Sequence, residues 1–330
     1  MLVAKEIFTI LPEFCQGVPY QIKKIAVKDA CEALTINKKK AKQTGKPFTL
    51  HFKSRKNPTQ SCFIPKTAIS IKGIYSRISG AGLHYAETLP ADLCDSRLVY
   101  CNGRYYLAVP HDKKTTLSEN QGRVVAIDPG VRSFITFYSE ASLGQLGRHD
   151  IGRIQRLCAH LDNLLSRAAT ATAKQRAKQL YRAAKRIRWK IRDLVDELHH
   201  KTARFLCDTF DIILLPTFET QQMVLKGARK LRRKSVRHLL TWAHYRFKQF
   251  LKHKAFELGK VVLDVNEAYT SKTNSWTGEI MSIGGQEQIA IENIRINRDI
   301  NGARGILLRA LVDSPSLRVC VQEECVVNES

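Results

Sequence analysis

Asp128, Glu219 and Asp299 are acids placed where a carboxylate can do chemistry. Asp128 closes a short apolar run in RVVAIDPGVRSFITFY (123–138), just before Pro129-Gly130, and a second run rich in β-branched and aromatic residues follows. That pattern reads as strand, sharp turn, strand, which holds the acid on a rigid element without burying it inside a sheet. Asp-Pro-Gly is also ordinary turn chemistry, so Asp128 alone is as well explained by structure as by function. The stretch DIILLPTFE repeats the arrangement: Asp211 to Leu215 reads as a strand, Pro216 ends it, and Glu219 follows within a few residues. NRDINGARGILLRAL reads as a helix with Asp299 near its start.

Strands alternating with helices imply an α/β sheet, whose sites gather at the C-terminal strand ends. Carboxylates converging there repel one another unless cations neutralise them. Hard oxygen ligands suit magnesium or manganese, and a pair of such ions suits phosphodiester hydrolysis. Acids also stand at strand ends in α/β proteins of every kind, so spacing alone leaves the structural reading open.

The elements that must position these acids come next. The chain has 330 residues, 44% of them apolar, enough for about two domains with a substantial core. No apolar run is long enough to cross a bilayer, and the N-terminus does not read as a signal peptide. Nine cysteines occur without a C-x-x-C pair, which argues for a reducing, intracellular setting: cytoplasm or nucleoid in a prokaryote, nucleus in a eukaryote. Lys and Arg number 54 against 30 acids, a net charge of +24. That excess favours a polyanion, nucleic acid rather than a membrane surface, with a ribosome-associated or merely solvated basic protein as the alternative.

Along the chain, residues 1–47 hold a helix from Tyr20 to Lys40, stopped by Gly45 and Pro47. Residues 48–118 read as short strands: Phe48 to Phe52, Cys62 to Pro65, Ala68 to Tyr75, and a hairpin around Asn102-Gly103. The β-rich part is expected to be a small antiparallel sheet or barrel. Residues 119–310 carry the acid-bearing strands, with a basic helical insertion at 151–210 and a second basic helical segment from Gly227 to Leu258. Residues 311–330 read as a flexible tail. Lys53, Arg55, Lys185, Arg186, Arg188, Lys190, Arg232, Arg233, Lys234, Arg237, Arg246 and Lys248 are the candidate phosphate contacts on these basic segments. A long solvated helical hairpin is the competing reading of residues 151–210.

The stretches AIDPGVRSFITFY, LHHKTARFLCDTFDIILLPTFET, LTWAHYRFKQFLKHKA, EAYTSKT and NRDINGARGI, in this order over residues 120–310, resemble the transposon-encoded TnpB family, its Fanzor relatives and the miniature type V CRISPR effectors. The resemblance implies an RNase H-like RuvC nuclease domain with helical insertions, preceded by a small helical segment and a β-barrel-like wedge domain. It implies an RNA-guided DNA endonuclease of a transposable element. Its partners would be a guide RNA and target DNA. Asp128, Glu219 and Asp299 would hold two magnesium or manganese ions. A cleavage-impaired relic or domesticated repressor is the first alternative, and a guide-independent nuclease of the same fold the second.

The family carries a zinc ribbon of paired cysteines after TSKT. Asn274, Thr277, Ile289 and Glu292 stand at those positions here, so no zinc is expected. Residues 274–292 are then expected to be loose, or held by apolar residues such as Ile280, Ile283 and Ile291. Family members also begin with a wedge strand and a longer helical region, so the barrel is expected to lack its first strand, in a truncated chain or one with a misassigned start.

Overall fold

The computed structural model describes residues 10–50, 54, 57–76, 84–112, 122–217, 233–266, 272–280, 287–291, 294–314 and 317. The chain forms two compact units, Met1–Lys113 and Lys114–Ser330.

In the first unit, helix α1 (Tyr20–Thr44) runs one turn past the expected end. Its lysine run is simply its exposed C-terminal part, and Gly45, at φ 67°, supplies the left-handed cap that stops it. Ile22 rests against a small core of Ile64, Ile69 and Ile74. Strands β1 (Thr59–Ile64), β4 (Ser96–Cys101) and β5 (Arg104–Ala108) form an antiparallel sheet in the order β1-β4-β5. Asn102 and Gly103, at φ 49° and 96°, make the primed turn between β4 and β5 that this dipeptide predicts. The strand expected across Ala68 to Tyr75 is instead a tiny hairpin, β2 (Ile69–Ser70) with β3 (Gly73–Ile74). Phe48 and Leu50 lie on irregular chain, because their alternation finds no partner strand among the described residues; Lys53 and Arg55 lie outside those residues. The described residues thus give an open sheet and a hairpin, with no closed barrel among them.

The second unit is built on a mixed sheet of order β10-β9-β6-β7-β8. Strands β6 (Val124–Pro129), β7 (Ile135–Tyr138) and β8 (Leu143–Leu146) form an antiparallel meander. Strands β9 (Ile212–Pro216) and β10 (Val261–Val265) run parallel to β6. Between them lie helices α2 (Asp150–Thr170), α3 (Lys174–Thr209), α4 (Arg233–Trp242) and α5 (His244–Glu257). After β10 come the two-stranded ladder β11 (Gln288–Ile291) and β12 (Ile294–Asn297), and helix α6 (Arg298–Asp313).

The period of two sorts each strand between faces. Val125, Ile127, Ile135, Phe137, Ile213 and Leu215 pack toward α3 and α5, against Val195, Leu206, Phe247 and Leu251. Val124, Ala126 and Leu214 pack toward α6, against Ile306, Leu307 and Ala310. Asp128 is next in the second series, so its carboxylate falls on the α6 face.

The opposite end of the sheet is closed by a buried charge. The Asp211 side chain, 1% exposed, accepts from Lys260 Nζ at 2.5 Å and from Arg123 Nε at 3.2 Å. Asp211 N–H also donates to the Arg123 carbonyl, and Val261 N–H to that of Asp211. Burial opposes ionisation of Asp211, but its bonds to Lys260 and Arg123 win and hold its pKa below the ordinary range. The starts of β6, β9 and β10 are thereby tied to one carboxylate. Asp211→Ala leaves Lys260 buried without its partner and should cost roughly 3–5 kcal/mol in urea unfolding, whereas Asp211→Leu combined with Lys260→Met should recover much of that loss. Equal stability of Asp211→Ala and the parent chain would refute this role.

Candidate metal and nucleic-acid site

Asp128 pairs across the sheet with Thr136, and Thr136 with Gln145, so the three side chains form a row on the α6 face. At the end of that row the Gln145 amide donates to Asp299 Oδ2 and to Asn297 Oδ1, both at 3.5 Å. Asn297 caps α6, its side chain accepting from the Asp299 N–H at 2.8 Å, which fixes Asp299 in the first helical turn. One turn further on, a Cβ at Gly302 would lie 2.7 Å from Asp128 Oδ2. Glycine there lets the helix backbone come up against the carboxylate. Asp128 and Asp299 are therefore brought together, one from a strand end and one from a helix start.

Glu219 lies outside the described residues. The strand that leads to it, β9, pairs parallel with β6 in the register Ala126 with Leu214, and ends at Pro216. Among the described residues no group of three or more His, Cys, Asp or Glu is placed to hold a metal. The donors present are nevertheless those of a hard-cation site, carboxylate oxygens on one face. Between them the Thr136 hydroxyl is buried and has no hydrogen-bond partner among the described residues. Burial raises the Asp299 pKa against the nearby Arg298 and Arg132; Glu287 adds to the rise and Arg148 opposes it. Arg132 and Arg148 both pair with Glu287, at 3.4 and 3.3 Å, on the exposed rim beside Asp299.

The turn after Asp128 is held by aromatic side chains. Phe134 is stacked between His199 and His244, with ring centroids 5.0 and 5.2 Å away. The His244 Nε2–H donates to the Gly130 carbonyl at 3.1 Å, and the Trp242 indole N–H to that of Val131, also at 3.1 Å. Serving both carbonyls breaks the expected continuous helix: Ala243, between α4 and α5, adopts φ 51°, a left-handed conformation disfavoured by about 1–2 kcal/mol.

The segment in the place of the zinc ribbon contains neither Cys nor His from 272 to 292, so its donors do not fit zinc. Its described turn, 273–280, is fastened to α6 by polar contacts. Ser275 N–H and hydroxyl donate to Asn301 Oδ1 at 2.8 and 2.9 Å, and Asn301 Nδ2 donates to the Thr273 carbonyl at 2.9 Å. Arg304 donates to the Ser275 carbonyl. Asn274 is buried within the turn, its side chain accepting from the Trp276 N–H, whereas Thr277 is exposed. Ile280 is 80% exposed and so gives no apolar anchor, Ile289 is buried, and Ile283, Glu292 and the side chain of Ile291 lie outside the described residues.

Of the candidate phosphate contacts, Lys185, Arg186, Arg188 and Lys190 on α3 and Lys234 on α4 are exposed. Arg237, Arg246 and Lys248 are instead committed to ion pairs with Asp162, Asp196 and Asp264, and so cross-brace helices and the β10 edge. Arg232 lies outside the described residues, as does the side chain of Arg233. Sequence reading missed Thr136, Gln145, Arg132, Arg148 and Gly302. Of these, only the alternation through Thr136 offered a signal.

Residues 244–306 match the family model described as Cas12f1-like, TNB domain. A TnpB-like protein of Acanthamoeba polyphaga mimivirus is 26% identical over 215 residues, covering 62% of this chain and 40% of that protein. A putative transposase of Paramecium bursaria Chlorella virus 1 is 30% identical over 228 residues, covering 66% of this chain and 50% of that protein. The chain thus spans half or less of the length of these relatives. The cryo-EM structure of a Cas12f1–sgRNA–target DNA complex aligns at TM-score 0.44 and 17% identity, over 65% of this chain and 45% of that one.

The aromatic stack makes the fold acid-sensitive. Burial lowers the pKa of both His199 and His244 from 6.5 to about 4, so between those values the unfolded chain binds protons that the folded chain refuses. Stability is full above pH 6.5 and falls as pH drops toward 4, by on the order of 3 kcal/mol for each histidine. Thermal melts from pH 7.5 to 4.5 should show that decline, and His199→Phe should make it shallower; a flat profile would exclude it.

Proposed function

This chain belongs to the TnpB/Cas12f-type family, and from that premise we propose that it is an RNA-guided DNA endonuclease of a transposable element. The observation that carries the reading is the convergence of Asp128 and Asp299 on one sheet face, with Gly302 admitting the helix to the carboxylate. The mixed sheet, an antiparallel meander extended by two parallel strands beside β6, supports an RNase H-like RuvC domain.

Asp128 and Asp299, with Glu219, would hold two magnesium or manganese ions. Such ions supply Lewis acidity, neutralising phosphate charge and making bound water more acidic. The protein's own part is positioning. Gln145 orients Asp299 by hydrogen bonding, and the Thr136 hydroxyl lies in the row between the two acids, where it can direct water or carboxylate. Arg132 and Arg148, both paired with Glu287 at the exposed rim, would have to exchange that carboxylate for a phosphate oxygen to meet the substrate. The exposed cations of α3 would follow the phosphate backbone at a distance from the cut, contributing affinity without sequence preference. The protein would act wherever the DNA is, in the nucleoid or the nucleus.

The test uses the full chain co-expressed with RNA from its transposon end, a matched plasmid, and magnesium. Cutting should require RNA and metal and should vanish in Asp128→Ala, while guide-dependent binding persists. Binding without cutting by the parent chain would favour a cleavage-impaired relic, and cutting without RNA a guide-independent nuclease. Thr136→Val should melt no lower than the parent chain, since it removes a buried hydroxyl without a partner among the described residues, yet need several-fold more magnesium for half-maximal cutting. An unchanged magnesium requirement would remove Thr136 from the site.

A further inference from the structure

The turn at 273–280 holds a large aromatic ring at the surface by unusual means. Trp276 is 38% exposed, while the Arg304 guanidinium lies over its ring at 4.7 Å from the centroid. The same guanidinium lies 6.0 Å from the Tyr138 ring, on the strand next to the one that carries Asp128. The backbone beneath the indole is fixed at several points. Trp276 N–H donates to the Asn274 side chain, Gly278 N–H to the Asn274 carbonyl, and Ser275 is gripped by Asn301 and Arg304. Asn301 is itself 1% exposed. Two side chains of the helix that carries Asp299 and Gly302 are thus committed to placing this indole.

An exposed tryptophan is not needed to close a turn, and one held this firmly has little conformational freedom left to lose on binding a ligand. Its chemistry is that of a stacking platform. Indole faces stack on nucleobases of any sequence, and a guanidinium backing adds positive charge for the adjoining phosphate. We propose that Trp276, backed by Arg304, stacks on a base of the single DNA strand presented to Asp128 and Asp299. The proposal rests on the nuclease reading above, and adds to it a contact that sets where the strand lies relative to the acids.

The probe is a 20-mer of oligothymidylate titrated into the full chain at low salt, read by tryptophan emission. Of the three tryptophans, Trp242 is fully buried, so quenching reports Trp276 or Trp189, and Trp276→Leu separates the two. Binding should quench emission in the parent chain. Trp276→Leu should lose that quench and bind roughly tenfold more weakly, with Trp276→Phe recovering most of the affinity. Should Trp276→Leu fail to fold, the parent chain and Trp276→Phe are titrated with an abasic oligomer of equal charge, which should bind the parent roughly tenfold more weakly than the thymidylate. Unchanged quench and affinity in Trp276→Leu, equal binding of the abasic oligomer, or quenching by oligouridylate alone would each overturn the proposal. Base-dependent quenching in a chain that cuts nothing would leave this site standing and remove the nuclease. Cutting abolished by Asp128→Ala but indifferent to Trp276 would do the reverse.

Discussion

The buried carboxylate of Asp211 is the constraint on which the second unit depends. A lone charge at 1% exposure is not tolerated, and this one is answered only when the starts of β6, β9 and β10 lie level, with Arg123 and Lys260 on either side. A slip of β9 by one residue would turn Ile213 and Leu215 out of their face and part Asp211 from both cations at once. The pairing need not add much net stability over an apolar substitute. It discriminates between registers, and the register decides which residue arrives at the far end of each strand. Asp128 is at the end of β6 because Arg123 is at its beginning.

A second device works locally. Phe134, clasped by two neutral imidazoles, draws the chain after Asp128 back under α4 and α5, and the Trp242 and His244 side chains take up carbonyls that the sharp turn would otherwise leave unmet. The left-handed Ala243 is the local strain this arrangement tolerates. Asp128 is thus steadied from beneath by aromatic stacking, and from above by a helix that comes close because residue 302 has no side chain.

Much of this was legible in the sequence wherever local chemistry decides structure. The strand–turn–strand around Asp128, the Asn102-Gly103 hairpin, the glycine stop of α1 and the helix opening at Asp299 all follow from pattern. Other features depend on partners remote in the chain. LGQL has little strand character, yet it becomes β8 because β7 offers it an edge, and Gln145 entered the site unseen with it. FTLHF has the alternation of a strand, but Phe48 and Leu50 find no partner strand among the described residues. Alanine is the best helix former, so nothing in the sequence marks Ala243 as a break; tertiary hydrogen bonds impose it. Arg237, Arg246 and Lys248 read as free cations because their acids sit on other elements.

The fastening of the 273–280 turn also changes what this protein needs from its surroundings. A ribbon closed by thiolates is assembled only when the ion is supplied, and it can be dismantled by oxidation of its sulfurs. Here the grip is an amide and a guanidinium, groups with no redox chemistry and no second component to acquire or lose. The grip on the turn is therefore supplied by α6 itself, and no thiolate takes part in it.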